Sequence, residues 1–510
     1  MSYELIAAVD IGSNSFRLQV GRIVGNQIYP LDSLKESVRL AAGLTPDRML
    51  DRSSQLCGLE ALGRFGERLR GFQPGAVRAV ATNTLRVAKN ASRFLVEAEA
   101  ALGFPIEVIA GREEARLIYL GVVHTLANPR TRQLVVDIGG GSTELIIGQN
   151  FAPLQMESLY MGCVSHSLKY FPRGRVEKHA MKDAELAARK ELQTIVSTYR
   201  ETGWEVAIGS SGTAKAIVDL LELNGLNDTG GDGTPVITCG GIDRLRSLLL
   251  HAGDVGSLRL EGLRPDRIPV LPGGLSIMSA VFKEFELERM DFSEGALRLG
   301  VLYDLLGRYH HDDLREATVS QFMQRYEVDR RQAARVSHSA LALLQQLLPD
   351  AGSEDNPDCQ CLLWAARLHE IGISVAHSSY HKHSAYILAN ADMPGFSRMD
   401  QERLSRIVLG HRGKLERVQS VTNDQRNWLL IFCLRLAALL HRARDDAAMP
   451  VLGVTAVEHG FHLWVDGAWL AASPLTAATL DEEVRQWNAL GMEVRIRREK
   501  QKLPTDGTGR

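Results

Sequence analysis

The sequence predicts an α/β protein of two related lobes, followed by an all-α domain and a small mixed α/β end piece. Three observations predict it. A Gly/Ser-rich stretch that begins at Asp10 occurs again, in register, from Asp137. Strand-like and helix-like runs alternate around both copies, the pattern of layered α/β folds. From about residue 311 strand-like runs give way to successive amphipathic helical runs.

The repeat aligns Asp10-Ile11-Gly12-Ser13-Asn14-Ser15-Phe16-Arg17-Leu18 without a gap on Asp137-Ile138-Gly139-Gly140-Gly141-Ser142-Thr143-Glu144-Leu145. Each copy follows an apolar run, Leu5 to Val9 or Leu134 to Val136, and precedes an alternating one, so each reads as strand, tight turn, strand. Ala76 to Ala81 then reads as a strand, Thr84 to Ala101 as a helix, Ile106 to Ala110 as a strand, and Arg112 to Thr125 as a helix leading into the second lobe. In the second lobe Val206 to Ile208 is a strand, Ala214 to Leu223 a helix, and Asn224 to Gly233 a loop. Helical runs follow at Val319 to Tyr326, Arg331 to Leu348, Cys361 to Ile371, Gln401 to Leu409 and Asn427 to Ala443. Strand-like runs return near Val451 to Val454, His462 to Val465 and Glu493 to Arg497, and the last ten residues are expected to be disordered. The expected divisions are 1–126, 127–310, 311–445 and 446–510.

A net charge of -2 gives no overall attraction to polyanions, so it neither supports nor excludes a polyanionic substrate and phosphate must be held by local clusters; no nucleic acid polymer is expected as a partner. The cysteines at 57, 163, 239, 359, 361 and 433 lack zinc-site spacing and read as reduced thiols of a cytosolic protein. No basic leader opens the chain, and no apolar run approaches the ~20 residues of an integral span. A cytoplasmic location is expected, with peripheral membrane association left open.

The chemistry lies in the loops. A strand ending in Asp-x-Gly and followed by Ser, Thr or Asn offers an acidic ligand for a divalent metal and a turn whose N–H and hydroxyl groups can surround phosphate. Gly12, Ser13, Asn14 and Ser15 form one such candidate, and Gly139, Gly140, Gly141, Ser142 and Thr143 the other. One loop alone would read equally well as a polar hairpin turn; two in register favour phosphate. The copies differ where Arg17 aligns with Glu144: Arg17 suits bidentate phosphate contacts, and Glu144 suits a metal ion or water, as do Asp10 and Asp137. Glu114, in the first turn of the helix joining the lobes, is a candidate for orienting the attacking water, since no histidine or cysteine is expected near the loops.

These stretches, with Ala81-Thr82-Asn83-Thr84-Leu85-Arg86, Gly209-Ser210-Ser211-Gly212-Thr213-Ala214-Lys215-Ala216 and Pro272-Gly273-Gly274, resemble the bacterial exopolyphosphatase and guanosine pentaphosphate phosphohydrolase family over essentially the whole chain. The resemblance implies lobes of the actin and heat-shock ATPase (ribonuclease H-like) type and a helical domain related to HD phosphohydrolases. It implies Glu114 as catalytic base, Asp137 and Glu144 as metal-associated acids with Asp10 as their first-loop counterpart, and Arg86 in the phosphate path. Gly212, Thr213 and Lys215 are expected to touch further phosphates. Mg²⁺ is the implied cofactor, with Mn²⁺ and K⁺ stimulation left open, and the implied assembly is a homodimer.

In the helical domain His369-Glu370 stands where the resemblance calls for His-Asp, and His369 is expected to be a packed or hydrogen-bonded helix residue. Nearby, His377, His381, Lys382 and His383 form a candidate cationic track, and the continuation through Phe396 looks closer to exopolyphosphatases than to the guanosine pentaphosphate branch. The leading expectation is therefore release of orthophosphate from the end of inorganic polyphosphate. The alternatives are 5′-hydrolysis of guanosine pentaphosphate, with the tetraphosphate as a further ligand, a non-catalytic alarmone sensor, and a kinase of the same fold.

Overall fold

The computed structural model describes residues 3–24, 27–126, 128–227, 236–309, 314–349, 356–419, 424–445, 450 and 452–499. The terminal segment expected to be disordered, and Asp228 to Gly233 of the expected loop, lie outside these residues. The chain forms two compact units, 1–314 and 315–510.

The first unit contains two sheets. One comprises β1 (Leu5–Ile11), β2 (Phe16–Val24), β3 (Gln27–Glu36), β4 (Val77–Ala81) and β5 (Ile106–Val108) in the order β3-β2-β1-β4-β5. The other comprises β6 (Gln133–Ile138), β7 (Thr143–Gln149), β8 (Ala152–Leu159), β9 (Val206–Ser210), β10 (Val236–Thr238) and β11 (Arg289–Phe292) in the order β10-β11-β9-β6-β7-β8. In both, an antiparallel three-strand meander is extended by two parallel strands beside its first member. The duplication seen in the loops is thus a duplication of topology.

The Thr84 to Ala101 expectation needs correction. The structure has two helices, Asn83–Val87 and Ala91–Leu102. The break occurs because the Asn90 amide is drawn to the backbone of Leu50, accepting from its N–H at 2.8 Å and donating to its carbonyl at 3.0 Å. That long-range contact competes with a continuous helix.

Between the sheets lie two helices, Gly111–Val123 and Leu297–Tyr309, whose apolar faces share a core with residues of both lobes, among them Ala8, Val80, Val135 and Ile208. They approach so closely that a Cβ on Gly300 would lie 1.7 Å from the carbonyl oxygen of Leu117. A buried ion network ties them to β4. Asp304 accepts from Arg78 at 2.6 Å and from Arg116 at 2.5 Å, while Arg116 also forks onto Glu113 at 2.8 and 2.7 Å. Replacing Asp304 by Ala leaves two buried guanidiniums with one carboxylate each. The expected loss is about 3 kcal/mol, at the lower end for a broken buried pair, read from the denaturant midpoint of the variant.

The second unit packs the helices Arg330–Leu347, Pro357–Leu368, Tyr380–Asn390, Arg398–Gly410 and Gln425–Leu440. Its three-stranded sheet has the order β12 (Gly453–Val457), β13 (Gly460–Asp466), β14 (Glu493–Glu499). Sheet and helices share one apolar core, in which Phe432 stacks on Phe461 at 4.1 Å and Trp487 meets both rings edge-on. Among the described residues the end piece therefore shares the core of the helices.

Candidate active site

In the register of the two hairpins Asp10 lies opposite Arg17 in β1–β2, and Asp137 opposite Glu144 in β6–β7. The turns between them, Gly12 to Ser15 and Gly139 to Ser142, line one cleft of about 410 Å³ in the first unit. They also touch: a Cβ on Gly140 would lie 3.0 Å from that of Ser13, and one on Gly141 would lie 2.5 Å from the Asn83 side-chain oxygen. Glycine is required there because the facing loop and the Asn83 side chain leave no room for a Cβ, not because of an unusual φ. Thr84 secures the first loop by donating to the Ser13 hydroxyl at 2.8 Å. Among the described residues the buried Oδ1 of Asn14 and Nδ2 of Asn83 have no hydrogen-bond partner, which is costly in a packed interior and natural beside a ligand.

Of the six carboxylates that line the cleft, four are the predicted site acids Asp10, Glu114, Asp137 and Glu144; Asp219 and Glu294 are the others. Glu114 is held in the first turn of the Gly111–Val123 helix and accepts a 3.0 Å bond from Arg86, whose Nη1 also donates to the Ile109 carbonyl. Arg86 is thus positioned through Glu114 rather than standing apart from it. Glu144 accepts from Ser158 at 2.7 Å. Burial raises the pKa of all four predicted acids; for Glu114 Arg86 opposes the rise, and for Glu144 Glu114 and Asp137 add to it. Asp137 is pushed up to about 7, chiefly by burial and further by the charges of Glu114 and Asp10, with Ser210 opposing. Such crowding of hard oxygen donors suits a divalent cation that completes its shell with phosphate and water. No three His, Cys, Asp or Glu side chains among the described residues converge as a complete ligand set, so the fit is to a cation held by one or two carboxylates.

Sequence reasoning did not find the cleft's remaining cations. Lys35, Arg267 and Arg298 line it together with Arg17. Burial lowers the Arg17 pKa to about 10, with the charges of Arg298 and Arg267 adding to the effect and Asp10 opposing it. Packing cations against one another is unfavourable unless an anion joins them. Arg267 and Arg298 are distant in sequence from the loops, and Lys35, the register partner of Arg17 on the next strand, carries no motif of its own. Cys163 also lines the cleft, against the expectation that no cysteine lies near; burial raises its thiol pKa, so it remains protonated rather than nucleophilic. Gly212, Thr213 and Lys215 border the cleft on the Ser211–Leu223 helix, where Thr213 donates to the Ile138 carbonyl at 2.8 Å.

The other predicted residues lie in the second unit. His377 and Lys382 are exposed and His383 is half-buried, but His381 is a correction: it is 9% exposed and turned toward His411, with ring centroids 6.3 Å apart. Helical periodicity over Tyr380–Asn390 turns it away from Lys382, so the four do not form one cationic face. His369 is buried at the end of its helix and donates Nδ1–H to the Ala366 carbonyl at 2.7 Å, while Glu370 is paired with Arg444.

Paired lobes with touching hairpin loops, buried acids and crowded cations define a phosphate-handling enzyme with a cleft suited to polyanions. The chain belongs to the Ppx/GppA phosphatase family: the family model matches residues 19–309, and its domain III matches residues 314–484. It is 36% identical over 96% of its length to the guanosine-5′-triphosphate,3′-diphosphate pyrophosphatase of Pseudoalteromonas translucida, covering 97% of that protein. It is also 36% identical to the protein of the same description from Vibrio cholerae, over 97% of this chain and 99% of that one. Among solved structures, the Aquifex aeolicus Ppx/GppA family member matches with TM-score 0.50 and 26% identity, over 60% of this chain and 99% of that one. An exopolyphosphatase from Cytophaga hutchinsonii shares the fold, with TM-score 0.53 and 22% identity over 59% of this chain and 97% of that one. These relatives support the alternative among the sequence expectations better than the leading one, despite the local pattern around His377 to Phe396. The chain is a phosphoanhydride hydrolase of this family. No helix among the described residues is long and apolar enough to cross a membrane.

Proposed function

We propose that the protein hydrolyses the terminal 5′ phosphoanhydride of guanosine 5′-triphosphate 3′-diphosphate, yielding the 5′,3′-bis(diphosphate) and orthophosphate. The full-length likeness to enzymes described as acting on that nucleotide carries the reading. In it, the Gly12–Ser15 and Gly139–Ser142 loops and Arg17 hold the terminal phosphates, with Gly212, Thr213 and Lys215 on those nearer the nucleoside. Thr143, fully buried, donates its hydroxyl to the Met161 carbonyl at 2.6 Å and so supports the loop instead of touching phosphate. Water attacks the γ-phosphorus, the bond to the bridging β–γ oxygen breaks, and Glu114 orients the water and accepts its proton. Arg86 holds Glu114 in place and faces the phosphate that leaves. Asp137 and Glu144, with Asp10 beside them, would hold Mg²⁺ or Mn²⁺, which supplies charge neutralisation on the phosphate oxygens. Positioning and charge stabilisation account for most of the catalysis in such transfers.

In this reading the helical unit is a relative of HD phosphohydrolases without their metal centre, the enzyme acts in the cytoplasm as a homodimer, and its lobes divide near residue 126. The exposed His377 and Lys382, with His383 beside them, would matter only to a polyanion much longer than this nucleotide. Phosphate release from the pentaphosphate and from long-chain polyphosphate, measured side by side, tests the assignment. A kcat/KM at least tenfold higher for the nucleotide is expected; a preference for polyphosphate would return the protein to the exopolyphosphatases.

A further inference from the structure

Two carboxylates in the cleft, Asp219 and Glu294, are left without a role by phosphate chemistry. Asp219 lines the cleft from the Ser211–Leu223 helix, on the same side of the helix as Lys215. Its side chain is 20% exposed, with Oδ1 at 3.2 Å from Lys215 and Oδ2 at 3.8 Å from Arg264. Eight positions from Ser211 place it about 12 Å along the helix axis from the loop end. That is the order of separation between the terminal phosphates of a nucleotide and its base.

The cleft wall also carries the apolar side chains of Leu220, which adjoins Asp219, of Leu263, and of Phe292, whose ring centroid lies 5.2 Å from Lys215 Nζ. A carboxylate in a cleft built for a polyanion repels the phosphates unless the ligand presents donors to it. Asp10, Glu114, Asp137 and Glu144 are accounted for by a cation and by water, and Asp219 stands apart from them at the other end. Guanine carries two adjacent donors, N1–H and the 2-amino group, which the two oxygens of one carboxylate can accept together while flat apolar walls cover the ring faces. Adenine presents an acceptor at N1 and no amino group at C2, so it would meet the same carboxylate with repulsion.

We infer that Asp219 recognises the guanine base of the nucleotide through its N1–H and 2-amino group, with Lys215 and Arg264 holding the carboxylate in place. The inference rests on the function proposed above and adds the residue that sets base specificity.

The test compares the guanosine, inosine and xanthosine 5′-triphosphate 3′-diphosphates as substrates of the wild-type protein and of Asp219→Asn. Inosine lacks only the 2-amino group, and the wild type is expected to favour guanosine over it by roughly tenfold in kcat/KM, carried by KM, as for one lost contact of a bidentate pair. Equal KM values for these two would overturn the inference without any variant. In Asp219→Asn the side-chain amide can donate to the C2 carbonyl of xanthine while its oxygen accepts N1–H, so the preference should invert toward the xanthosine substrate. A retained guanosine preference overturns the assignment and leaves a surface Lys215–Asp219 helix pair in its place. Should Asp219→Asn fail to fold by circular dichroism, Asp219→Ala is used, expected to bring the guanosine and inosine substrates to the same KM; continued discrimination counts against the inference. A wild type that cleaves none of the three nucleotides but does cleave polyphosphate overturns both this inference and the proposed function. Cleavage of all three with equal KM overturns this inference alone.

Discussion

Glu114→Gln is expected to lower kcat by about 10²-fold or more while leaving KM for the pentaphosphate nearly unchanged. The amide keeps the size of the carboxylate and one acceptor oxygen for Arg86, whose Nη1 lies 3.0 Å from Glu114 Oε2. It cannot take a proton from water. Because Arg86 also donates to the Ile109 carbonyl, it keeps an anchor in the variant, and the phosphate path is preserved. The pH profile separates a base from a structural residue. Burial raises the Glu114 pKa and Arg86 opposes the rise, so activity limited by ionised Glu114 should climb with pH. That dependence should vanish from the residual activity of the glutamine variant. Half of wild-type turnover in Glu114→Gln would remove the residue from the mechanism.

Stripping divalent cations with EDTA is expected to abolish phosphate release, and Asp137→Ala to raise the Mg²⁺ concentration needed by at least tenfold. A readout independent of turnover follows from the protonation of Asp137. Its folded-state pKa of about 7 lies above the ordinary 3.8, so between those values the unfolded chain holds fewer protons and stability falls as pH rises toward 7. Above about 7 Asp137 is ionised and able to hold a cation; below it, a proton occupies the carboxylate. The rise in Tm on adding Mg²⁺ should therefore be larger at pH 8 than at pH 5.5, and Asp137→Ala should remove the difference. Full activity in excess EDTA, or a Tm gain independent of pH, would contradict this role.

The parts of the site legible in the sequence are those coded locally. Asp10 to Arg17 and Asp137 to Glu144 each place an acid, a turn and its partner position within one hairpin, so strand periodicity and turn chemistry suffice to find them. Arg267 and Arg298 reach the cleft from segments with no shared motif, and only tertiary packing brings them there, while Lys35 joins Arg17 through the β2–β3 register. The same limit applies to the fold. The Leu271–Phe285 helix is buried almost all round, so it lacks the polar face that marks an amphipathic helix. The break at Ala88 to Asn90 depends on Leu50, forty positions from Asn90. Substrate choice was the least legible, because the pattern from His377 to Phe396 belongs to the second unit and His381 is used in its interior.

The central claim is that this cleft removes the terminal 5′-phosphate of a guanosine pentaphosphate, and product analysis after incubation with that nucleotide and Mg²⁺ tests it most directly. The account predicts one orthophosphate for each guanosine 5′,3′-bis(diphosphate) formed, with the 3′-diphosphate intact. Release of pyrophosphate, loss of the 3′-phosphates, or an unchanged nucleotide in a preparation that degrades polyphosphate would contradict it.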